Sequence, residues 1–234
     1  MKKTLLLAIG CLTALMVLAQ EQPQQSVPVD SLPFDVQKQA FIYSTAERYS
    51  DPVISRMALY NLLAYNPANT AIMDSLALSY IDYQQYASAV LVAQDALRIN
   101  PDDMLATEIA AVAFENLGLA DRAVTYYETL NLNKPDINVL YKIGFLQLQL
   151  KRLSEARTNC DILIADAEVA KATLLFQKNQ SENQEISMLA GIYRLKAMIE
   201  EEAGNTAEAK VNYNKALEIA PDFAIAKLQL EKLN

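Results

Sequence analysis

Residues 70–103 read TAIMDSLALSYIDYQQYASAVLVAQDALRINPDD, a stretch without glycine and with a single proline, Pro101, near its end. Leu76, Ala77 and Tyr80 recur at helical spacing in its first half, and Ala89, Ala93 and Ala96 in its second. Pro101 stops the second run, because proline lacks the backbone N–H and its ring clashes with the preceding turn. The proline recurs as well. Pro67, Pro101 and Pro135 stand 34 residues apart, and Pro221 follows 86 residues after the third. A period of 34 closed by proline is that of stacked helical hairpins.

The spacings in 70–103 resemble the tetratricopeptide repeat, a pair of antiparallel helices. The resemblance implies an all-α, right-handed α-solenoid of about four helix-turn-helix units with a C-terminal capping helix. Small residues such as Ala77 and Ala89 belong where the two helices cross most closely, and Tyr80 in the wider space beside them. Residues 104–136 repeat the scheme with Ala110, Ala111, Phe114, Ala123, Tyr127 and Pro135, and Gly118 supplies the turn. Residues 137–165 carry Ile143-Gly144 and reach Ala156, Cys160 and Leu163 through an expected turn at Lys151 to Ser154, with Ser154 expected to cap the second helix. Residues 190–223 match best in their second half, through Gly204, Ala209, Tyr213, Ala216 and Pro221, with Thr206 as the expected cap. Residues 224–234 read as an amphipathic capping helix. Residues 35–69 read as a divergent first hairpin in which Ser50-Asp51-Pro52 starts the second helix.

The last interval is 18 residues longer than two periods. The surplus falls in 166–189, where apolar-leaning Ala172 to Gln177 and Glu185 to Met188 flank polar Lys178 to Gln184. This predicts a small β-hairpin insertion, with a helical extension through Ala167 to Phe176 as the alternative. Such an appendage is either inert or a grafted contact surface.

At the N-terminus Lys2 and Lys3 precede an apolar run from Leu5 to Ala19, followed by polar Gln20. Residues 1–19 therefore predict a signal peptide cut near Ala19. A single membrane span competes, but the run is short of the ~20 residues a spanning helix needs. Ala8-Ile9-Gly10-Cys11 loosely resembles a lipobox, yet a cut there would leave Leu12 to Ala19, an apolar run, where a polar tether is expected. Residues 20–34, with Pro23, Pro28 and Pro33, read as a flexible leader. The layout looks like that of small exported proteins of Gram-negative bacteria, which implies periplasmic residence, with the outer membrane or secretion as other destinations.

The formal charge is −8, and removal of the signal takes Lys2 and Lys3 away, leaving −10. Such a field repels a phosphate backbone, so nucleic acid is not an expected partner. With no histidine, no cysteine cluster and no Gly-rich phosphate loop, the chain offers no set for catalysis, metal or cofactor, and it reads as a non-enzyme. Asp102-Asp103 fits a helix start, and Glu200-Glu201-Glu202 reads as a solvated helix face. Cys160 stands at a packing position, as a buried small residue rather than a reactive thiol.

The resemblance implies a concave wall built by the first helix of each repeat, which grips a peptide or partner helix. Carried over position by position, the groove comprises Asp74, Leu78, Ile81 and Asp82, then Glu108, Val112, Glu115 and Asn116, then Tyr141, Phe145, Leu148 and Gln149. Some of these residues could equally pack against neighbouring helices. The family's best-known variant clamps a peptide carboxylate with Lys and Asn. Asp74 and Glu108 stand where lysine would be needed, so this chain should reject a C-terminal carboxylate. An apolar strip with an acidic rim suits a basic or amphipathic protein or peptide, with any membrane contact made through that partner. The reading is a protein-interaction scaffold of the cell envelope. The alternative is a module for a small molecule or cell-wall glycan that stacks on the many tyrosines, and an enzyme is the weakest reading.

Overall fold

The computed structural model describes residues 32–178 and 182–233. The expected signal, its cut near Ala19 and the leader up to Ser31 lie outside the described residues. Among the described residues no helix is long and apolar enough to cross a membrane. The chain divides into two compact units, one ending at Tyr65 and the other starting at Asn66.

In the first unit α1 (Phe34–Arg48) packs on α2 (Pro52–Tyr65). Asp51 Oδ1 accepts the Ile54 N–H at 3.2 Å, and Pro52 opens α2 at the position where a missing N–H is harmless. Asn61 Nδ2 donates to Gln39 Oε1 at 3.1 Å across the pair.

The second unit is an α-solenoid. Its helices are α3 (Thr70–Asp82), α4 (Tyr86–Ile99), α5 (Met104–Asn116), α6 (Ala120–Asn133), α7 (Ile137–Gln149), α8 (Leu153–Ala165), α9 (Met188–Glu202), α10 (Thr206–Ile219) and α11 (Ala224–Glu231). Each helix packs on the next along the chain, apart from the insertion between α8 and α9, and α3 also meets α5 as α7 meets α9. First helices thus stand beside first helices. Fully buried Ala77, Ala89, Ala93, Ala96, Ala106, Ala110, Ala113 and Ala123 line the crossings of α3 to α6, where a larger side chain would hold the backbones apart. A second core joins α7, α8 and α9 around Cys160, Leu163, Ile192 and Leu195, and a third joins α9, α10 and α11 around Tyr213 and Phe223.

The turns inside the hairpins share one geometry. Ser50, Gln84, Gly118, Lys151 and Gly204 all have positive φ, between 56° and 80°. The next residue in each case donates its N–H back five residues, as in Gln85 to Tyr80 O at 2.8 Å and Leu119 to Phe114 O at 3.0 Å. This satisfies carbonyls that the helix end would leave bare. The same residue then serves as the N-cap of the following helix, which explains a difference from expectation. Ser154 and Thr206 do not cap. The N-cap positions belong to Arg152 and Asn205, already fixed by the turn, and neither offers a side-chain cap. Within the second unit, Asn69, Asp103 and Asp136 cap with their side chains, accepting N–H groups at the entries to the first helices α3, α5 and α7.

Between α8 and α9 a short 3₁₀ turn (Ala167–Lys171) leads into an antiparallel hairpin of β1 (Thr173–Gln177) and β2 (Asn183–Ser187), in register Thr173 with Ser187. The helical alternative for this stretch goes no further than that turn. Leu174, Phe176 and Ile186 face inward. They press so closely on α9 that a Cβ on Gly191 would lie 2.7 Å from Leu174 Cδ1 and 3.3 Å from Phe176 Cζ. β2 starts two residues earlier than its apolar run suggests, because buried Gln184 works as a backbone substitute. Its Nε2 donates to Asp222 O at 3.0 Å and its Oε1 accepts the Ala224 N–H at 3.0 Å.

Candidate partner-binding groove

The groove positions repeat at offsets of four, seven and eight residues, which places each set on one face of a helix. On α3, α5 and α7 the middle apolar positions, Leu78, Val112 and Phe145, are half-buried against the cores, as are Ile81 and Tyr141. Leu148 is buried, and Asp82, Asn116 and Gln149 are exposed.

The carboxylates of this face differ from one another. Asp74 is only 6% exposed and its Oδ1 has no hydrogen-bond partner. Burial, with a smaller push from the charge of Asp103, raises its carboxyl to about 7. Burial also raises Glu108. Glu115 accepts the Tyr127 hydroxyl at 2.7 Å and Lys142 Nζ at 2.9 and 3.1 Å, a link from α5 to α7. Burial and then that bond push the Tyr127 phenol well above its usual range. The acidic rim expected at Asp74 and Glu115 is therefore internal or already paired.

The same offsets applied to α9 add a fourth set that the sequence reading omitted: Arg194, Met198, Glu201 and Glu202. The signal was present in the period, which runs on through 190–223. Phe145, Leu148 and Gln149 meet Met198, Glu201 and Glu202, together with Lys151 and Gln229 of α11, around an open hollow of about 420 Å³. The groove residues of α3 and α5 do not line it. Lys151 Nζ donates to Glu202 at 2.6 Å, and the Tyr213 hydroxyl donates to Glu201. A second hollow, also about 420 Å³, lies on the second helices α4 and α6 between Leu91, Leu97, Arg98 and Tyr126, away from every groove position.

Glu200 corrects the reading of its triplet as a solvated face. It is 5% exposed and accepts Arg157 Nε and Nη2 at 2.6 and 3.1 Å and Asn205 Nδ2 at 2.7 Å. Arg157 first, and Asn205 with it, hold this carboxyl below its usual range despite burial. Cys160 is buried as its packing position predicts, and burial pushes the thiol up to about 12, out of reach of thiolate chemistry at neutral pH. Among the described residues no group of three or more histidine, cysteine or carboxylate side chains could hold a metal ion.

Residues 190–223 match the model of the tetratricopeptide repeat. No curated protein matches the chain. Solved structures similar to it include YrrB, described as a TPR protein with an unusual peptide-binding site (15% identity, 81% of this chain and 88% of that one, TM-score 0.64). They also include a tetratricopeptide repeat protein from Parabacteroides merdae (20% identity, 86% and 73%, TM-score 0.63) and MamA (16%, 79% and 91%, TM-score 0.60). At these identities the likeness is one of fold.

Proposed function

We propose, from the tetratricopeptide-repeat match of residues 190–223 and the fold shared with YrrB, that this chain is a non-enzymatic scaffold of the cell envelope, exported and periplasmic, that holds a partner protein or peptide along its first-helix groove. The observation that carries this is the row Leu78, Val112, Phe145 and Met198, where one position of four successive first helices is an apolar side chain that packs on the core but is not fully covered by it. A partner's apolar face would cover such a row. Exposed carboxylates at Asp82, Glu201 and Glu202 favour a basic or amphipathic partner. Lys2 and Lys3 before an apolar run support export. The glycan alternative draws less support, because the one tyrosine among the groove positions, Tyr141, is half-buried against the second core, and the exposed Tyr49, Tyr60, Tyr65 and Tyr83 are not groove positions.

The test is a photo-crosslinking residue at Val112, with Leu91 on a second helix as control, irradiated in cells that export the chain. Discrete protein adducts at Val112 and none at Leu91 are expected. Adducts from both positions alike, or none at Val112 in a chain that still melts cooperatively, overturn the reading.

A further inference from the structure

The fourth set of groove positions is half sealed and half open. Gly191, on the same face, is covered by Leu174 and Phe176 of the hairpin. Arg194 is 7% exposed, lies 5.6 Å above the Phe176 ring and donates from Nε to Gln229 at 2.6 Å. The hairpin and α11 thus occupy the place where a bound segment would continue over α9. One turn further on, Met198, Glu201 and Glu202 stay open toward Phe145, Leu148 and Gln149. The hollow they frame is of the size of ligand pockets, ~300–1,000 Å³.

Its floor and rim differ in chemistry. Phe145, Leu148 and Met198 present apolar surface. Glu201 is exposed, and its partner Tyr213 is a neutral donor that leaves the negative charge in place. Glu202 is paired to Lys151, whose own side chain is 73% exposed and so gives way to a competing cation without a large change in its hydration. On the exposed rim two carboxylates thus face one ammonium around an apolar floor, with the guanidinium of buried Arg194 also acting on Glu201.

We propose that this hollow is the anchoring pocket of the groove: it seats one bulky apolar side chain of a partner segment that carries lysine or arginine beside it, the cation reaching Glu201 or Glu202. The sealed half of α9 makes the segment end or turn at that point. This rests on the groove reading above and deepens it.

The probes are acetylated, amidated and fluorescently labelled peptides with a central phenylalanine flanked by lysines, the same peptide with alanine for phenylalanine, and one with glutamates for the lysines. Fluorescence anisotropy against the mature chain is expected to show binding of the first and at least about tenfold weaker binding of the other two. Gln149→Lys, at an exposed rim position that leaves the core intact, and Met198→Glu should each weaken the first peptide by roughly tenfold, and the double change Glu201→Gln, Glu202→Gln should flatten its salt dependence. Binding unaltered by all three variants, preference for the glutamate peptide, or no binding of any probe overturns the proposal. If Val112→Glu abolishes binding while the pocket variants do not, the groove reading stands and the pocket falls. If neither matters, both fall. A dimer in sedimentation that Gln149→Lys dissolves would assign the hollow to a second copy of the chain and likewise overturn the proposal.

Discussion

Asp74 is the residue at which position and environment part company. The period places it on the groove face, but a period reports direction around a helix and says nothing of what stands opposite. Burial raises its carboxyl from 3.8 to about 7. Between those values the folded chain keeps a proton that the unfolded chain releases, so this group's contribution falls as pH rises toward 7 and levels off above it. Asp74→Asn is therefore expected to stabilise the chain at pH 8, by up to about 4 kcal/mol, and to be neutral near pH 3, as denaturant melts at the two pH values would show. Glu200 illustrates the same limit from the other side. Its partner Arg157 is 43 residues away, and no local pattern of three glutamates announces which one turns inward. Glu200→Ala should cost about 2 kcal/mol, below the range for fully buried pairs because Arg157 keeps some exposure. The Arg157→Met, Glu200→Met double variant should recover much of that loss in the same melts, since it leaves no charge unpaired.

The helical hairpins were legible as elements because everything that defines them is local: a stripe of small residues, a proline, a turn. The turns repeat more faithfully than the prolines. Ser50, Gln84 and Gly118 stand 34 residues apart, and Lys151 follows at 33. Turns at Gly118 and from Lys151 were readable; that serine, glutamine and lysine would take a left-handed conformation was not, since the back-directed N–H bond overrides their preference. A Cβ at Gly118 would meet nothing within 4 Å, so Gly118→Ala isolates the backbone effect and should lower stability by about 1 kcal/mol, while Gln84→Gly should be neutral or slightly stabilising. The hairpin was visible as two short apolar-leaning runs flanking a polar one, but β2 was misplaced because Gln184 looks like a loop residue until its amide is seen between Asp222 and Ala224. Gly191→Val should drive Leu174 and Phe176 off α9 and cost about 1–3 kcal/mol in thermal or denaturant unfolding.

For the whole molecule, export is the claim that a simple measurement decides. The mature chain is expected to begin at Gln20 and to appear in the osmotic-shock fraction, and mass spectrometry of the released protein checks both; a chain retained with Met1 overturns it. Three sets of first-helix positions follow from the period, because the repeat carries its own ruler, whereas the hollow between the third and fourth sets does not, since it needs Gln229 from a helix outside the period. The clasp of Gln184 on the backbone before α11 also bears on how such a chain can change in length. Repeat arrays lengthen by tandem duplication, and a copy of residues 104–136 inserted after Asp136 would meet familiar neighbours on both sides. A copy added after Phe223 would lift α11 away from Gln184 and Arg194, so the hairpin fixes where this array is permitted to grow.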